Sequence, residues 1–213
     1  MTNTQVKIDV WSDYVCPFCY LEQPLLARIE EEFAGAVEIT WRAFELRPAP
    51  EPTLDPQGEY LRDIWARAVY PMAAQRGMTL RLPPVQPRSR RAHEAVAFAR
   101  ARGKAAELNE ALFQAFFVRG DDIGELDIIL RHAAGLGLDE AALRRALNEE
   151  AYRDEVLADE ELARTLGLSA VPAMTVRSAN DPIESAVMLA GAQPYESVRK
   201  VMERFAGTVS KFK

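Results

Sequence analysis

The hydrophobic pattern near the N-terminus changes from a period of two to a helical period. Val6, Ile8 and Val10 alternate with other residues, as in a strand that has one buried face. The next apolar residues recur at helical intervals: Leu21, Leu25, Leu26, Ile29 and Phe33. Alternation returns over residues 36–46 and predicts a second strand. A strand, a helix and a strand in this order predict two parallel strands joined by a right-handed crossover.

The proline-rich segment 47–52 can continue neither a strand nor a helix, so it marks a domain boundary. From about residue 58 to 167 the pattern is helical, with predicted N-caps at Ser89 and Asp139. The exception is Met78–Arg88, which contains three prolines. We expect a long loop there, and loops of that length are often functional.

Strand patterns return after residue 167. We predict strands over Ala173–Val176 and Ile183–Leu189, joined as an antiparallel hairpin, and a last helix after Pro194. The two ends of the chain would then form one α/β domain that a helical insertion divides. The predicted limits are 1–50 and 167–213 for the two parts of this domain and 51–166 for the insertion.

Composition and charge limit which partners and which cellular compartment the sequence predicts. The 213 residues carry a formal net charge of −6, which argues against non-specific binding of nucleic acid. The N-terminal segment lacks a basic region followed by an apolar core, and no later stretch is apolar for long enough to cross a bilayer. The sequence therefore predicts a cytoplasmic protein without a membrane partner. Structural disulfides are rare in that compartment.

Both cysteines lie in the segment Cys16-Pro17-Phe18-Cys19, between the first strand and the first helix. Pro17 suits a first helical turn, because its missing N–H would have no partner there. The free N–H groups and the helix dipole stabilise an anion, so Cys16 should ionise more easily and is the candidate nucleophile. Cys19 lies on the same helical face and is the candidate resolving thiol.

Two other interpretations of the cysteine pair remain open at this point. One is a structural disulfide, or two small buried residues that are merely close together. The other is half of a zinc site, but there is no third cysteine, and His93 and His132 lack the spacing of a zinc finger. We predict no metal site.

Five further residues are candidates for supporting roles. Trp11 and Asp13 flank the cysteine pair and should shape the substrate surface, and Phe18 should present an apolar edge to a substrate. His93 could face the cleft, although a lone histidine is more often a packed or surface residue. Glu22 follows Cys19 by three residues and could influence its proton, although most such glutamates are merely solvated.

Several motifs together resemble the DsbA family and its FrnE-like cytoplasmic branch, which is similar to 2-hydroxychromene-2-carboxylate isomerases and kappa-class glutathione transferases. They are the segments Ser12–Tyr20, Ala92-His93, Leu112–Phe117 with Gly120–Ile123, Ala170–Pro172 and Gly191–Pro194. The resemblance covers essentially the whole chain. It implies an α/β thioredoxin fold with a large all-helical insertion.

The resemblance also implies roles for individual residues. Cys16, Cys19 and Pro172 match the catalytic positions, and Pro172 should be a cis-proline beside the active-site disulfide. The backbone of Val171 would then be free to pair with an extended substrate strand. Phe18, Trp11 and His93 complete the expected substrate-binding set.

The implied function is thiol–disulfide exchange, as an oxidoreductase or isomerase, with proteins or small thiols as substrates. No cofactor is needed beyond the Cys16–Cys19 disulfide, with glutathione as a candidate co-substrate. An alternative is a glutathione-dependent isomerase or transferase, although those relatives mostly have serine at the position of Cys16. A third is a chaperone-like protein whose cysteines only sense oxidation. Monomer and homodimer both remain open.

Overall fold

A four-stranded mixed sheet organises the structure, a computed structural model that describes residues 5–205. Its strands are β1 (Val6–Ser12), β2 (Val37–Ala43), β3 (Ala173–Ser178) and β4 (Val187–Ala190). They lie in the order β2-β1-β3-β4. β1 is parallel to β2 and antiparallel to β3, and β3 and β4 form an antiparallel pair. The predicted parallel pair and the predicted hairpin are both confirmed.

One face of the sheet is covered by α1 (Pro17–Glu32) and α9 (Tyr195–Phe205). The alternating residues of β1 that point to this face pack against both helices. The fully or nearly buried residues of this core are Val6, Ile8, Val10, Leu25, Leu26, Ile29, Phe33, Met174, Val176, Val198 and Met202. The alternating apolar residues of β1 and the helically spaced apolar residues of α1 thus pack in one core, as the sequence predicts.

The segment between β2 and β3, all of which lies within the described residues, contains seven α-helices. They are α2 (Glu59–Ile64), α3 (Tyr70–Gln75), α4 (Arg90–Arg100), α5 (Ala105–Gln114), α6 (Leu126–Gly135), α7 (Glu140–Asn148) and α8 (Arg153–Thr165). π-helical turns connect α2 to α3 and extend α5, at Trp65–Val69 and Ala115–Arg119. The helical insertion is confirmed, whereas its exact limits stay predictions. No helix in the described range is long and apolar enough to cross a membrane.

The second face of the sheet and the insertion share a larger core. Trp11, Tyr20 and Leu21 come from the sheet and α1, and they belong to the same buried cluster as Phe98 and Phe113 of the insertion. Because this second core serves both parts, neither part can bury the apolar surface on this face of the sheet without the other.

Three local predictions, one strand and two helix caps, agree with the structure to different extents. The strand predicted over Ile183–Leu189 is wrong in its first half. Residues Ile183–Ser185 form a 3₁₀ turn, and only Val187–Ala190 pairs with β3. The turn is stabilised locally, since the Ser185 hydroxyl donates to the carbonyl of Pro182 at 2.8 Å.

The two predicted helix caps also differ from each other. The carboxylate of Asp139 accepts the N–H of Ala142 at 2.9 Å and caps α7, as predicted. Ser89 does precede α4, but its side chain makes no capping hydrogen bond. Its backbone is helical there, with φ −97° and ψ −4°, instead of the extended conformation that N-caps usually adopt.

Candidate active site

The cysteine pair lies where β1 is followed by α1. Cys16 is the N-cap residue, with extended backbone (φ −92°, ψ 111°), and Pro17 opens the helix. The Cys16 N–H donates to the carbonyl of Asp13 at 3.1 Å, and the Cys19 N–H donates to the carbonyl of Cys16, also at 3.1 Å. These bonds form the first turn, in which the two sulfurs come close on one side of the helix.

Both cysteines are free thiols, and both are buried. Cys16 is 4% exposed, and its Sγ donates to the carbonyl oxygen of Val171 at 3.6 Å. Cys19 is fully buried, and this burial raises its pKa well above the usual range. Its hydrogen bond to Cys16 raises the pKa further. Cys19 therefore holds its proton, as expected of a resolving thiol.

The Val171–Pro172 peptide bond is cis, as predicted. The turn at this bond is held by a hydrogen bond from the N–H of Gly191 to the carbonyl of Pro172 at 2.8 Å. Ala170 and Val171 thereby lie beside Cys16 and form one edge of a cleft.

The cleft has a volume of about 520 Å³, and Cys16 lies at its surface. Phe18 and Val171, both predicted to bind substrate, line it. Most of the remaining lining comes from the segment after β2, from α2 and its π-turn, and from the long loop before α4. These residues are Leu46, Arg47, Glu51, Thr53, Leu54, Tyr60, Leu61, Ile64, Trp65, Gln86 and Pro87. Its surface is largely apolar, with Tyr60 63% exposed, and suits a substrate that brings apolar groups to the thiol.

Arg88 holds in place the cleft wall, which residues 46–54 form. Its guanidinium donates to the carbonyl of Arg47 at 2.8 Å and to the carbonyl of Glu51 at 2.7 Å. The wall has no regular secondary structure, so these two bonds supply much of its fixed geometry. The sequence indicated a functional loop at Met78–Arg88, but no pattern in it pointed to Arg88.

Asp13 connects the active-site turn to the insertion. Its carboxylate is fully buried and accepts the N–H of Leu46 at 2.7 Å and that of Val15 at 3.4 Å. The Nε2 atom of His93 lies 3.6 Å from the same carboxylate. Asp13 thus fixes the start of the cleft wall and does not itself face the cleft.

Trp11 and His93, both expected to bind substrate, are buried away from this cleft. Trp11 is fully buried, and its indole N–H donates to the carbonyl of Asp159 at 2.9 Å. His93 is 7% exposed and packs against the ring of Tyr14 with the centroids 4.8 Å apart. Neither residue lines the cleft, because the insertion covers this face of the sheet. Their contact with a substrate stays a prediction, which this cleft does not support.

Glu22 is occupied by an ion pair. It is fully buried, lies 2.8 Å from the guanidinium of Arg76, and accepts the N–H of Gln193 at 3.2 Å. Glu22 thereby joins α1 to the insertion, and its expected influence on Cys19 stays a prediction.

A model of the DSBA-like thioredoxin domain family matches residues 7–203. The chain belongs to this family. The protein YwbO of Bacillus subtilis (strain 168), itself uncharacterized, is 40% identical over 153 residues, which are 70% of this chain and 75% of YwbO.

Solved structures show the same DsbA-like thioredoxin fold with its helical insertion. A probable DsbA oxidoreductase from Streptomyces coelicolor has a TM-score of 0.78 at 24% identity, covering 98% of this chain and 93% of its own. A 2-hydroxychromene-2-carboxylate isomerase has a TM-score of 0.75 at 19% identity, covering 93% and 95%. The disulfide reductase DsbM of Pseudomonas aeruginosa, solved with glutathione, has a TM-score of 0.70 at 21% identity, covering 93% and 99%. The predicted fold and family are confirmed.

Proposed function

We propose that this protein is a thiol–disulfide oxidoreductase or isomerase in which Cys16 is the nucleophile and Cys19 the resolving thiol. One observation carries the proposal. Cys16 lines the cleft, with its sulfur 3.6 Å from the Val171 carbonyl oxygen, whereas Cys19 does not line it and is fully buried. A substrate can reach the sulfur of Cys16, whereas the sulfur of Cys19 can attack only the mixed disulfide that forms at Cys16.

The reaction proceeds in two exchanges. The Cys16 thiolate attacks a substrate disulfide, forming a mixed disulfide and releasing one substrate thiol. Cys19 then loses its proton and attacks the Cys16 sulfur, so that the Cys16–Cys19 disulfide forms and the second substrate thiol leaves. The substrate disulfide is reduced and the enzyme dithiol is oxidised. A thiol reductant regenerates the dithiol, and glutathione is a candidate for this co-substrate.

Val171 and Phe18 bind the substrate in this proposal. The carbonyl of Val171 already accepts a hydrogen bond from the Cys16 thiol, and it can accept one from the N–H of an extended substrate. Phe18 also lines the cleft and supplies apolar contact there. Because main-chain hydrogen bonds do not depend on side-chain identity, proteins and small thiols can share the site.

A cytosolic location is part of the proposal. It is supported by the likeness in fold to DsbM, which is described as a cytosolic disulfide reductase. A second candidate function is a glutathione-dependent isomerisation of a small aromatic substrate. It is favoured by the likeness in fold to the 2-hydroxychromene-2-carboxylate isomerase and by a cleft of small-molecule size.

Reduction of insulin by dithiothreitol tests the first function. We expect turnover by the native protein, its loss in Cys16→Ser, and accumulation of mixed disulfides in Cys19→Ser. Unchanged turnover in Cys16→Ser would exclude Cys16 as the nucleophile. Calorimetry with glutathione and assays with aromatic substrates address the second function, which would gain support if glutathione bound tightly while insulin was not reduced.

A further inference from the structure

The cleft beside Cys16 has a largely apolar lining that contains two charged side chains, Arg47 and Glu51. Both belong to the cleft wall, and Glu51 is exposed whereas Arg47 is half-buried. Within the described residues each contributes only backbone groups to hydrogen bonds, and neither side chain forms an ion pair. The guanidinium of Arg47 is therefore a half-buried positive charge that no carboxylate of the described chain accompanies.

A half-buried arginine without a partner is exceptional in the part of the chain that the structure describes. The other half-buried arginines there all use the guanidinium in ion pairs or hydrogen bonds. Arg42, Arg76, Arg90, Arg144, Arg177 and Arg199 pair with carboxylates, and Arg88 donates to carbonyls. Withdrawing a charged group from water without giving it a partner costs free energy. Beside a reactive sulfur, such a group indicates that a ligand supplies the partner.

The backbone at Arg47 is fixed before any ligand binds. Its carbonyl accepts the hydrogen bond from Arg88 at 2.8 Å. The next residue is Pro48, whose carbonyl accepts the N–H of Glu51 at 2.9 Å. The side chain of Arg47 thus starts from an anchored turn, and a fixed backbone reduces the entropy that is lost when the side chain binds a ligand.

The guanidinium of an arginine is suited to carboxylates. Its planar fork can donate two parallel hydrogen bonds to the two oxygens, and such bonds between charged groups are stronger than neutral ones. The chain as a whole has a formal net charge of −6 and repels anions at a distance. Selective binding of a carboxylate therefore requires a local cation in the cleft, and Arg47 is the cation in its lining.

We propose that Arg47 is a specificity-determining residue that binds a carboxylate of the substrate, while the apolar lining around Tyr60 and Trp65 takes up an apolar group next to it. The proposal rests on the proposed function and names its substrate class, disulfides that carry a carboxylate. Arg47 takes no part in the bonds that form and break at Cys16. The carboxylate belongs either to a small acid or to an acidic residue of a peptide.

The first test compares two aromatic disulfides that differ in charge. Dithiobis(nitrobenzoate) carries carboxylates and dithiobis(nitropyridine) is uncharged, and each oxidises the protein dithiol and releases two coloured thiols. Arg47→Met should lower the second-order rate constant about tenfold for the carboxylate reagent and leave that for the uncharged reagent unchanged. Arg47→Lys should restore part of the rate, since it keeps the charge without the fork.

Two further variants separate a local contact from general effects. Arg47→Glu should slow the carboxylate reagent further and accelerate cystamine, a cationic disulfide. Arg91→Met removes the same charge from an exposed side chain outside the cleft lining and should change neither rate. Equal slowing of both aromatic reagents in Arg47→Met would overturn the proposal, because Arg47 would then act on Cys16 and not on the substrate.

Peptide disulfides identify the source of the carboxylate. Short amidated peptides with Glu or Gln beside a cysteine are compared as their disulfides. If Arg47→Met removes a preference for the Glu peptide, an acidic peptide supplies the carboxylate. If it slows dithiobis(nitrobenzoate) alone, a small acid is the ligand.

A binding experiment tests Arg47 without any disulfide exchange. Phenylpropionate and phenylpropionamide have the same apolar group and differ in charge, and their binding is followed by tryptophan fluorescence, because Trp65 lines the cleft. Phenylpropionate should bind the native protein about tenfold more tightly than the amide, and Arg47→Met should abolish the difference. Equal binding of both compounds to the native protein would contradict the role of Arg47. If this difference is found but no disulfide is exchanged, only the proposed function fails.

Discussion

Cys16 and Cys19 are three residues apart, yet their surroundings differ in the property that matters for exchange. Cys16 lies at the surface of the cleft, whereas Cys19 is enclosed by the shared core and by the end of β1. This difference in access sets the order of attack. The burial of Cys19 also makes the free energy of unfolding depend on pH.

Reduced protein should lose stability in alkaline solution because of Cys19. Burial raises the pKa of Cys19 above that of an unfolded cysteine, which is about 8.5. Above that pH the unfolded chain releases a proton that the folded chain keeps, so the free energy of unfolding falls as the pH rises. Below about 8.5 both states are protonated and the contribution is fully present.

Urea unfolding of the reduced protein between pH 7 and 10 measures this effect. The native protein should show the steeper decline, and Cys19→Ala should remove part of it. Cys16→Ala serves as the control with one thiol of the pair retained. Equal slopes for the native protein and Cys19→Ala would contradict the prediction.

At the scale of the elements, Arg76 fastens α1 to two other segments. Its guanidinium forms the ion pair with Glu22 and donates to the carbonyl of Gln193 at 2.9 Å and to the carbonyl of Leu21. Helix α1, the end of α3 and the loop before α9 therefore meet at one side chain. Since Cys16 caps α1 and Cys19 lies in its first turn, this connection positions the active site.

Arg76→Met should destabilise the protein by about 3 kcal/mol at neutral pH, because Glu22 is then a buried charge without a partner. Burial already raises the pKa of Glu22. The loss should shrink as the pH falls below the ordinary glutamate value of about 4.3, because Glu22 is then protonated in the folded and unfolded states alike.

Chemical denaturation at neutral and acidic pH measures this loss. Arg67→Met is the control, since its ion pair with Asp63 is exposed and should contribute little. The double variant Glu22→Gln/Arg76→Met should recover part of the stability. A loss that is the same at both pH values would exclude the buried charge as its cause.

The cleft wall depends on Arg88 in a comparable way. Arg88→Met removes both hydrogen bonds to the carbonyls of Arg47 and Glu51 and should loosen residues 46–54. We expect KM for a disulfide substrate to rise several-fold with a smaller change in kcat, because the wall contacts substrate and not the sulfurs. Amide hydrogen exchange of residues 46–54 should also become faster.

Arg91→Met is the matched control for Arg88. Arg91 is exposed, and its side chain makes no hydrogen bond or ion pair within the described part of the chain. Its replacement should change neither KM nor the exchange of the wall. If kcat fell in Arg88→Met while KM stayed constant, Arg88 would act on the chemistry and not on the wall.

At the scale of the whole molecule, the sheet and the insertion depend on one core. Trp11 on β1 and Trp65 in the insertion belong to the same buried cluster. Removal of the insertion would expose Trp11, Tyr20 and Leu21, which bury large apolar areas. The two parts should therefore unfold together.

Equilibrium unfolding should be a single transition. Tryptophan fluorescence, which reports both parts, and far-ultraviolet circular dichroism should give coincident curves. A chain in which a short linker replaces residues 53–167 should not fold cooperatively. A separate, earlier loss of helical signal would contradict the shared core.

The sequence alone determined the elements and the position of the cysteines. Alternation in Val6–Val10, the helical spacing after Leu21 and the proline at position 17 are local patterns, so neighbouring residues suffice to place Cys16 at the start of α1. The helical insertion is equally visible in its residues. The second strand of the hairpin was placed too early because a 3₁₀ turn stabilised by Pro182 and Ser185 has no periodic pattern.

Tertiary structure decided which side chains form the site. Trp11 lies close to the cysteines in the sequence and His93 belongs to a motif of the family, but packing between the sheet and the insertion buries both away from the cleft. Arg88 reaches carbonyls of the wall about forty residues away. Contacts between residues distant in the chain depend on packing, and no local period encodes them.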